Sequence, residues 1–318
     1  MHAAVVTEFD KPPRWEEFAE PQPADGEVVV DVLAAALHPR VRSQANGSHY
    51  TSTDELPLIP GIDGVGRMPD GSLRYFLLPD TRFGSMAERV AIDPRRSLPV
   101  GDGQDPVAVA AAMNPGMSSW VALRRRAQLQ PGQSVLVLGA TGSAGQLAVQ
   151  IAKHLGASRV VAAGRDADAL ATLPGLGADT VVSLAGDPAD AAAAVGEAAA
   201  DVDVVVDYLW GAPAQAVIPA LLTRRPDRSK TLSWVEVGAI AGPDLTIASA
   251  MLRQADLRLM GSGQGSVTAR GILEELVPLM AEVAAGTFTL DVDPRPMAEV
   301  ESVWTEKPNA RQRTVFTL

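Results

Sequence analysis

Hydrophobic and polar positions alternate in two different styles along the chain, and the style changes near Gln104. Before that point the apolar runs are short and interrupted by proline and glycine. Residues 26–36 (GEVVVDVLAAA) hold a β-branched run after a turn glycine and predict a strand. Pro12, Pro13, Pro21 and Pro23 keep the preceding segment extended or turning. Residues 56–66 (LPLIPGIDGVG) carry three glycines and two prolines, which predicts a shaped loop or kinked strand, and residues 84–93 predict another strand. Beyond Gln104 the spacing becomes helical over residues 105–129 and then alternates. Strands are predicted at 134–139, 159–163, 179–184, 202–207, 231–238 and 256–260, with helices at 143–155, 166–173, 188–200 and 212–223. A helix at 267–285, the segment FTLDVDPRP, a short helix and a last strand TVFTL complete the chain. Apolar strands separated by helices imply βαβ units, a parallel sheet and a doubly wound α/β fold.

Composition narrows the function. A chain of 318 residues with 47% hydrophobic residues is long and apolar enough for two domains. The net charge of −11 and an aromatic content of 4% argue against a nucleic-acid partner. There is no cysteine, which removes disulfides, thiolate nucleophiles and Cys-ligated metals together. The four histidines, His2, His38, His49 and His154, are scattered. The first ten residues have no basic leader, and the longest uncharged stretch, 131–152, is rich in Gly, Ser, Thr and Gln. Neither reads as a signal peptide or a membrane span, so a cytoplasmic protein without a membrane partner is expected.

The most informative stretch is 134–145, SVLVLGATGSAG, where a strand runs into Gly139, Gly142 and Gly145 and a helix opens. In that context the glycines predict a dinucleotide site. Gly142 lets the backbone approach a pyrophosphate, Gly145 lets the helix pack on the strand, and the helix N-terminus offers N–H groups and a positive dipole end. Thr141, Ser143 and Ala144 complete the loop. The next strand ends Gly164-Arg165-Asp166, twenty residues past the last glycine of the loop. Arg165 suits a 2′-phosphate and hence NADPH. Asp166 suits either the ribose hydroxyls of NAD or the cap of the next helix.

These residues, with PGIDGVG at 60–66, FGSMAERV at 83–90 and MSSWVAL at 117–123, resemble the medium-chain dehydrogenase/reductase superfamily, in its zinc-free quinone oxidoreductase branch. The resemblance implies a GroES-like β-barrel domain from residues 1–108 and 266–318, and a Rossmann domain from 109–265. It also implies NADPH as cofactor and a homodimer. The first zinc-ligand position of the zinc-dependent relatives falls on His38 and the second on Ile62, which cannot ligate, so no metal is expected. A residual His38, His49, Asp63 set is the only remaining grouping. In 36–50 (ALHPRVRSQANGSHY), His38 replaces the family Asn and Val41 the usual acid, while Pro39, Gly47 and Tyr50 fall on family positions. Tyr50 and His38 are the candidate catalytic residues, Tyr50 being either a donor to the reacting carbonyl or a wall against the nicotinamide.

Further cofactor positions implied by the resemblance are Ser118, Gly238, Ala239, Gly261 and Ser262. The family Lys after the second strand is matched by Asp168, leaving Lys307, Arg311 and Arg313 as distant bases. Asp207 ends the fourth strand, and Tyr208 and Trp210 after it read as core or cleft wall. The activity implied is hydride transfer from NADPH to a quinone or to the C=C of an α,β-unsaturated carbonyl. The alternative is an NADPH-binding regulator or scaffold with little turnover.

Overall fold

In the computed structural model, which describes residues 1–318, the chain forms two units: Pro115–Leu279, and Met1–Asn114 together with Met280–Leu318. The chain crosses between units inside the Pro106–Val121 and Ala269–Ala284 helices, later in each case than the expected 108/109 and 265/266 boundaries.

Pro115–Leu279 holds a six-stranded parallel sheet in the order Thr180–Ser183, Arg159–Gly164, Ser134–Leu138, Val204–Asp207, Leu232–Glu236, Leu257–Gly261. Neighbours in register place Ser183, Gly164, Leu138, Asp207, Glu236 and Gly261 at one edge, the carboxyl ends of the strands. The sequence order reverses between Ser134–Leu138 and Val204–Asp207, the switch point at which ligands bind in such sheets. Every residue of Ser134–Leu138 is buried, as expected of a central strand covered on both faces. The Ser143–His154 helix buries Leu147, Ala148, Ile151 and Ala152 at helical spacing. Pro188–Ala198 starts at Asp187, whose carboxylate accepts from the Ala189 and Asp190 N–H groups, and has proline at its first position. One core packs Leu136, Leu138, Val161, Val205 and Trp234 against Val195, Val217, Ile218 and Leu221.

The unit made from both chain ends is mainly antiparallel, giving the expected α/β fold class with a sheet domain formed by both termini. Asp291–Pro296, Gln312–Thr317, Val28–Ala36, Asp63–Arg67, Leu73–Leu77 and Ser97–Val100 follow one another in a sheet, and Arg89–Ile92 also pairs with Val28–Ala36. A register shift between Val32 and Ala34 interrupts the pairing of Val28–Ala36 with Asp63–Arg67. His2–Val5 and Arg14–Glu17 form a separate hairpin pair. Residues 56–66 divide into a loop with a cis Leu56–Pro57 bond and the start of the Asp63–Arg67 strand. The 84–93 strand shortens to Arg89–Ile92. A helix, Pro39–Ala45, occupies a stretch with no predicted element. No helix is long and apolar enough to cross a membrane.

Candidate active site

The glycine loop is built by exclusion of side chains. A Cβ on Gly145 would lie 2.2 Å from the Gly139 carbonyl oxygen, and one on Gly164 would lie 2.4 Å from Thr141 Cγ2. Both distances are far inside contact, so only glycine lets the Ser143–His154 helix and the second strand close on the loop. The Gly139 and Ala140 N–H groups both donate to Ala163 O at 2.9 Å, which pins the loop to the neighbouring strand. Gly142 is the N-cap residue and has no side chain to occupy the helix N-terminus. A backbone-lined helix start at a switch point fits the pyrophosphate of a dinucleotide.

At the end of the second strand, Asp166 caps the Ala167–Thr172 helix by accepting from the Ala169 N–H at 3.1 Å. Of its two sequence readings, the capping one is realised. Arg165 and Asp168 are exposed.

The fourth and fifth strand ends are tied together. The Tyr208 N–H donates to Leu138 O, and the Ile240 and Ala241 N–H groups donate to Tyr208 O and Leu209 O. Asp207 is buried and accepts from the Leu209 and Trp210 N–H groups at 2.8 and 3.0 Å and from Trp234 Nε1 at 3.0 Å. Burial raises its carboxyl pKa, and the three donors oppose the shift. Trp210 sits at φ 52°, which turns the chain into the Gly211–Arg224 helix. The Ser118 hydroxyl lies 2.8 Å from that of Tyr208. Gly238 and Ala239 follow the fifth strand, Gly238 next to Tyr208 O. Gly261 ends the sixth strand, and the Ser262 N–H donates to Glu236 O at 2.8 Å. Ser118, Thr141–Gly145, Gly164, Gly238, Ala239, Gly261 and Ser262 therefore all belong to one unit. Glu236, which the sequence reading passed over, joins them at this edge, its carboxyl pKa raised by burial and by the Asp207 charge.

In the other unit, His38 is the N-cap residue of Pro39–Ala45, and Tyr50 lies beyond the far end of that helix. The His38 ring is buried, with Nε2 3.2 Å from Asp63 Oδ1, so Nε2 carries the proton and donates. Asp63 also accepts from the Tyr75 hydroxyl at 2.8 Å, and its carbonyl accepts from Ser85 Oγ. Burial lowers the His38 pKa against the opposing pull of Asp63, and burial raises that of Tyr75. Tyr50 is 72% exposed and its ring stacks on His49 at 4.3 Å. His49 Nδ1 accepts from the Thr51 N–H, so His49 takes no part in the His38–Asp63 pair. Ile62 is buried, and no group of three or more His, Cys, Asp or Glu side chains is arranged to hold a metal. Arg313 is buried and donates to Leu37 O, which ties it to its own sheet. Burial lowers its pKa to about 10. That removes it from the distant bases considered for a phosphate.

No family model matches the chain. A probable NADPH-dependent quinone reductase of Emericella nidulans is 31% identical, with 99% of each chain covered. The chain belongs to the medium-chain dehydrogenase/reductase superfamily, in its quinone-oxidoreductase-like branch. This superfamily is one of oxidoreductases, and the two-unit fold matches it. The quinone oxidoreductase of Thermus thermophilus, solved also in complex with NADPH, superposes with a TM-score of 0.78 over all of both chains at 27% identity. An Arabidopsis thaliana NADPH-dependent alkenal/one oxidoreductase is 27% identical over 51% of this chain and 46% of its own length.

Proposed function

We propose that this dehydrogenase/reductase uses NADPH, without a metal, to reduce a quinone or the C=C of an α,β-unsaturated carbonyl. The observation that carries the reading is the glycine cradle, in which Gly142 caps the helix start without a side chain and Gly145 and Gly164 leave no room for a Cβ, with the exposed Arg165 one residue beyond it. The names of the relatives support the same cofactor and substrate classes. Bound in that cradle, NADPH supplies the hydride.

The chain's own part is to bind, orient and donate. The Ser143, Ala144 and Gly145 N–H groups of the first helical turn take the pyrophosphate, while Thr141 and Gly142 shape the loop in front of them and Gly164 makes room for Thr141. Arg165 takes the 2′-phosphate. Ser118, Gly238, Ala239, Gly261 and Ser262 line the remaining strand ends. Tyr50 Oη, on an exposed side chain, donates to the carbonyl oxygen on which charge develops. His38, held by Asp63, shapes the loop that carries Tyr50. Zero cysteines and Ile62 at a ligand position support metal independence. The Leu257–Gly261 strand, an unpaired edge of the six-stranded sheet, supports a homodimer joined along it.

The test is NADPH oxidation with a panel of quinones and enones. Turnover with at least one class, undiminished by a chelator, is expected. Tight NADPH binding with no turnover across the panel would replace this reading with the regulator.

A further inference from the structure

Tyr208 occupies the centre of the carboxyl edge. Its N–H is bonded to the last residue of the first strand, and its carbonyl takes the Ile240 N–H from the fifth-strand loop. A Cβ built on Gly139 would meet Tyr208 Cβ at 3.2 Å, so the root of the tyrosine lies directly on the glycine loop. Its hydroxyl is 2.8 Å from Ser118 Oγ, ninety residues away in sequence. The direction of that bond follows from proton counting. Ser118 has one hydroxyl proton, and it goes to Pro115 O at 2.6 Å. The Tyr208 O–H therefore donates to Ser118. What remains on the phenolic oxygen is acceptor capacity, with the Ser119 hydroxyl also beside it.

This arrangement is unsuited to proton supply. The chain Tyr208–Ser118–Pro115 ends on a peptide carbonyl, which has no proton to pass forward. Burial also pushes the phenol up to about 12, so it stays protonated at neutral pH. A fixed acceptor at the switch point is suited to recognising an N–H.

Resting on the proposed cofactor, we infer that Tyr208 is a specificity-determining residue of the dinucleotide site: oriented by Ser118, its phenolic oxygen accepts an N–H of the nicotinamide carboxamide. Neither the glycine loop nor Arg165 reads that end of the ligand.

The experiment is equilibrium binding to the full chain of three probes: NADP⁺, its 3-acetylpyridine analogue, in which a methyl replaces the amide NH₂, and 2′,5′-ADP, which lacks the nicotinamide half. Wild type should prefer NADP⁺ over the analogue. Tyr208→Phe should weaken NADP⁺ by about 2- to 12-fold, the range of one neutral hydrogen bond, and erase the preference over the analogue. Binding of 2′,5′-ADP should be unchanged, which a merely structural role would not give. Ser118→Ala should weaken NADP⁺ less, and add nothing on top of Tyr208→Phe. Equal losses for all three probes, or an intact preference in Tyr208→Phe, would overturn the assignment. Binding of 2′,5′-ADP without any nicotinamide contribution would overturn it while leaving the cradle. Failure of wild type to bind either NADP⁺ or 2′,5′-ADP would overturn the cofactor reading, and this one with it.

Discussion

Asp207 and Asp63 are both buried carboxylates at strand ends, one in each unit, and they are satisfied in opposite ways. Asp207 takes two of its three donors from the turn it begins, two and three residues ahead, and the third from Trp234 on the adjacent strand. Asp63 takes its side-chain partners from His38 and Tyr75, 25 and 12 residues away. The first is an edge device: it fixes the loop that carries Tyr208 while leaving the strand ends open. The second is a closed knot around His38, the position on which the first metal ligand of zinc-dependent relatives falls, and it holds the helix that leads to Tyr50. One carboxylate orders a strand-end turn, and the other closes a buried cluster around His38.

Removing each acid separates the two cases. Asp63→Ala strands the His38 N–H and the Tyr75 O–H in a dry interior and should cost about 3–5 kcal/mol of unfolding free energy, read from denaturant midpoints. Asp207→Ala should cost less, about 2–3 kcal/mol, because the Leu209 and Trp210 N–H groups are only part-buried and water can reach them. A larger loss at Asp207 would break the contrast.

A finer test is pH. The folded His38 pKa lies below the ordinary 6.5, so the folded protein binds fewer protons than the unfolded chain as pH falls below that value. Stability should therefore drop on acidification from pH 6.5, by at most about 1.4 kcal/mol per pH unit from this residue. His38→Asn should flatten that limb. Asp207 has the opposite sign: its raised pKa makes stability fall as pH rises from 3.8 to the folded value. Asp207→Asn should remove that fall. Thermal melts from pH 4 to 8 check both.

The same contrast explains what was legible in the sequence. The inner parallel strands, such as Ser134–Leu138 and Val204–Asp207, are buried and read as apolar runs, while the less buried edge strands Thr180–Ser183 and Leu257–Gly261 stood out through the regular strand–helix alternation. With them the glycine loop was legible, and Asp166 was readable as a cap from local spacing. The antiparallel unit was less legible. Leu73–Leu77 and Ser97–Val100 are short strands whose pairing, with each other and with Asp63–Arg67, is set by distant partners. Pro39–Ala45 starts at His38 with no side-chain cap bond, so it carries no helix-start signal beyond its proline. His38–Asp63–Tyr75 and Ser118–Tyr208 are contacts of tertiary structure, and no local pattern announces them.

The most direct test of the central claim, that the glycine cradle and Arg165 make an NADPH site, is a fluorescence titration of NADPH and NADH against wild type and Arg165→Ala. Wild type should bind NADPH much more tightly. Loss of one charged hydrogen bond to the 2′-phosphate should weaken NADPH by about 10- to 150-fold and leave NADH nearly unchanged. Equal affinity of wild type for the two cofactors, or equal losses for both in Arg165→Ala, would contradict the account.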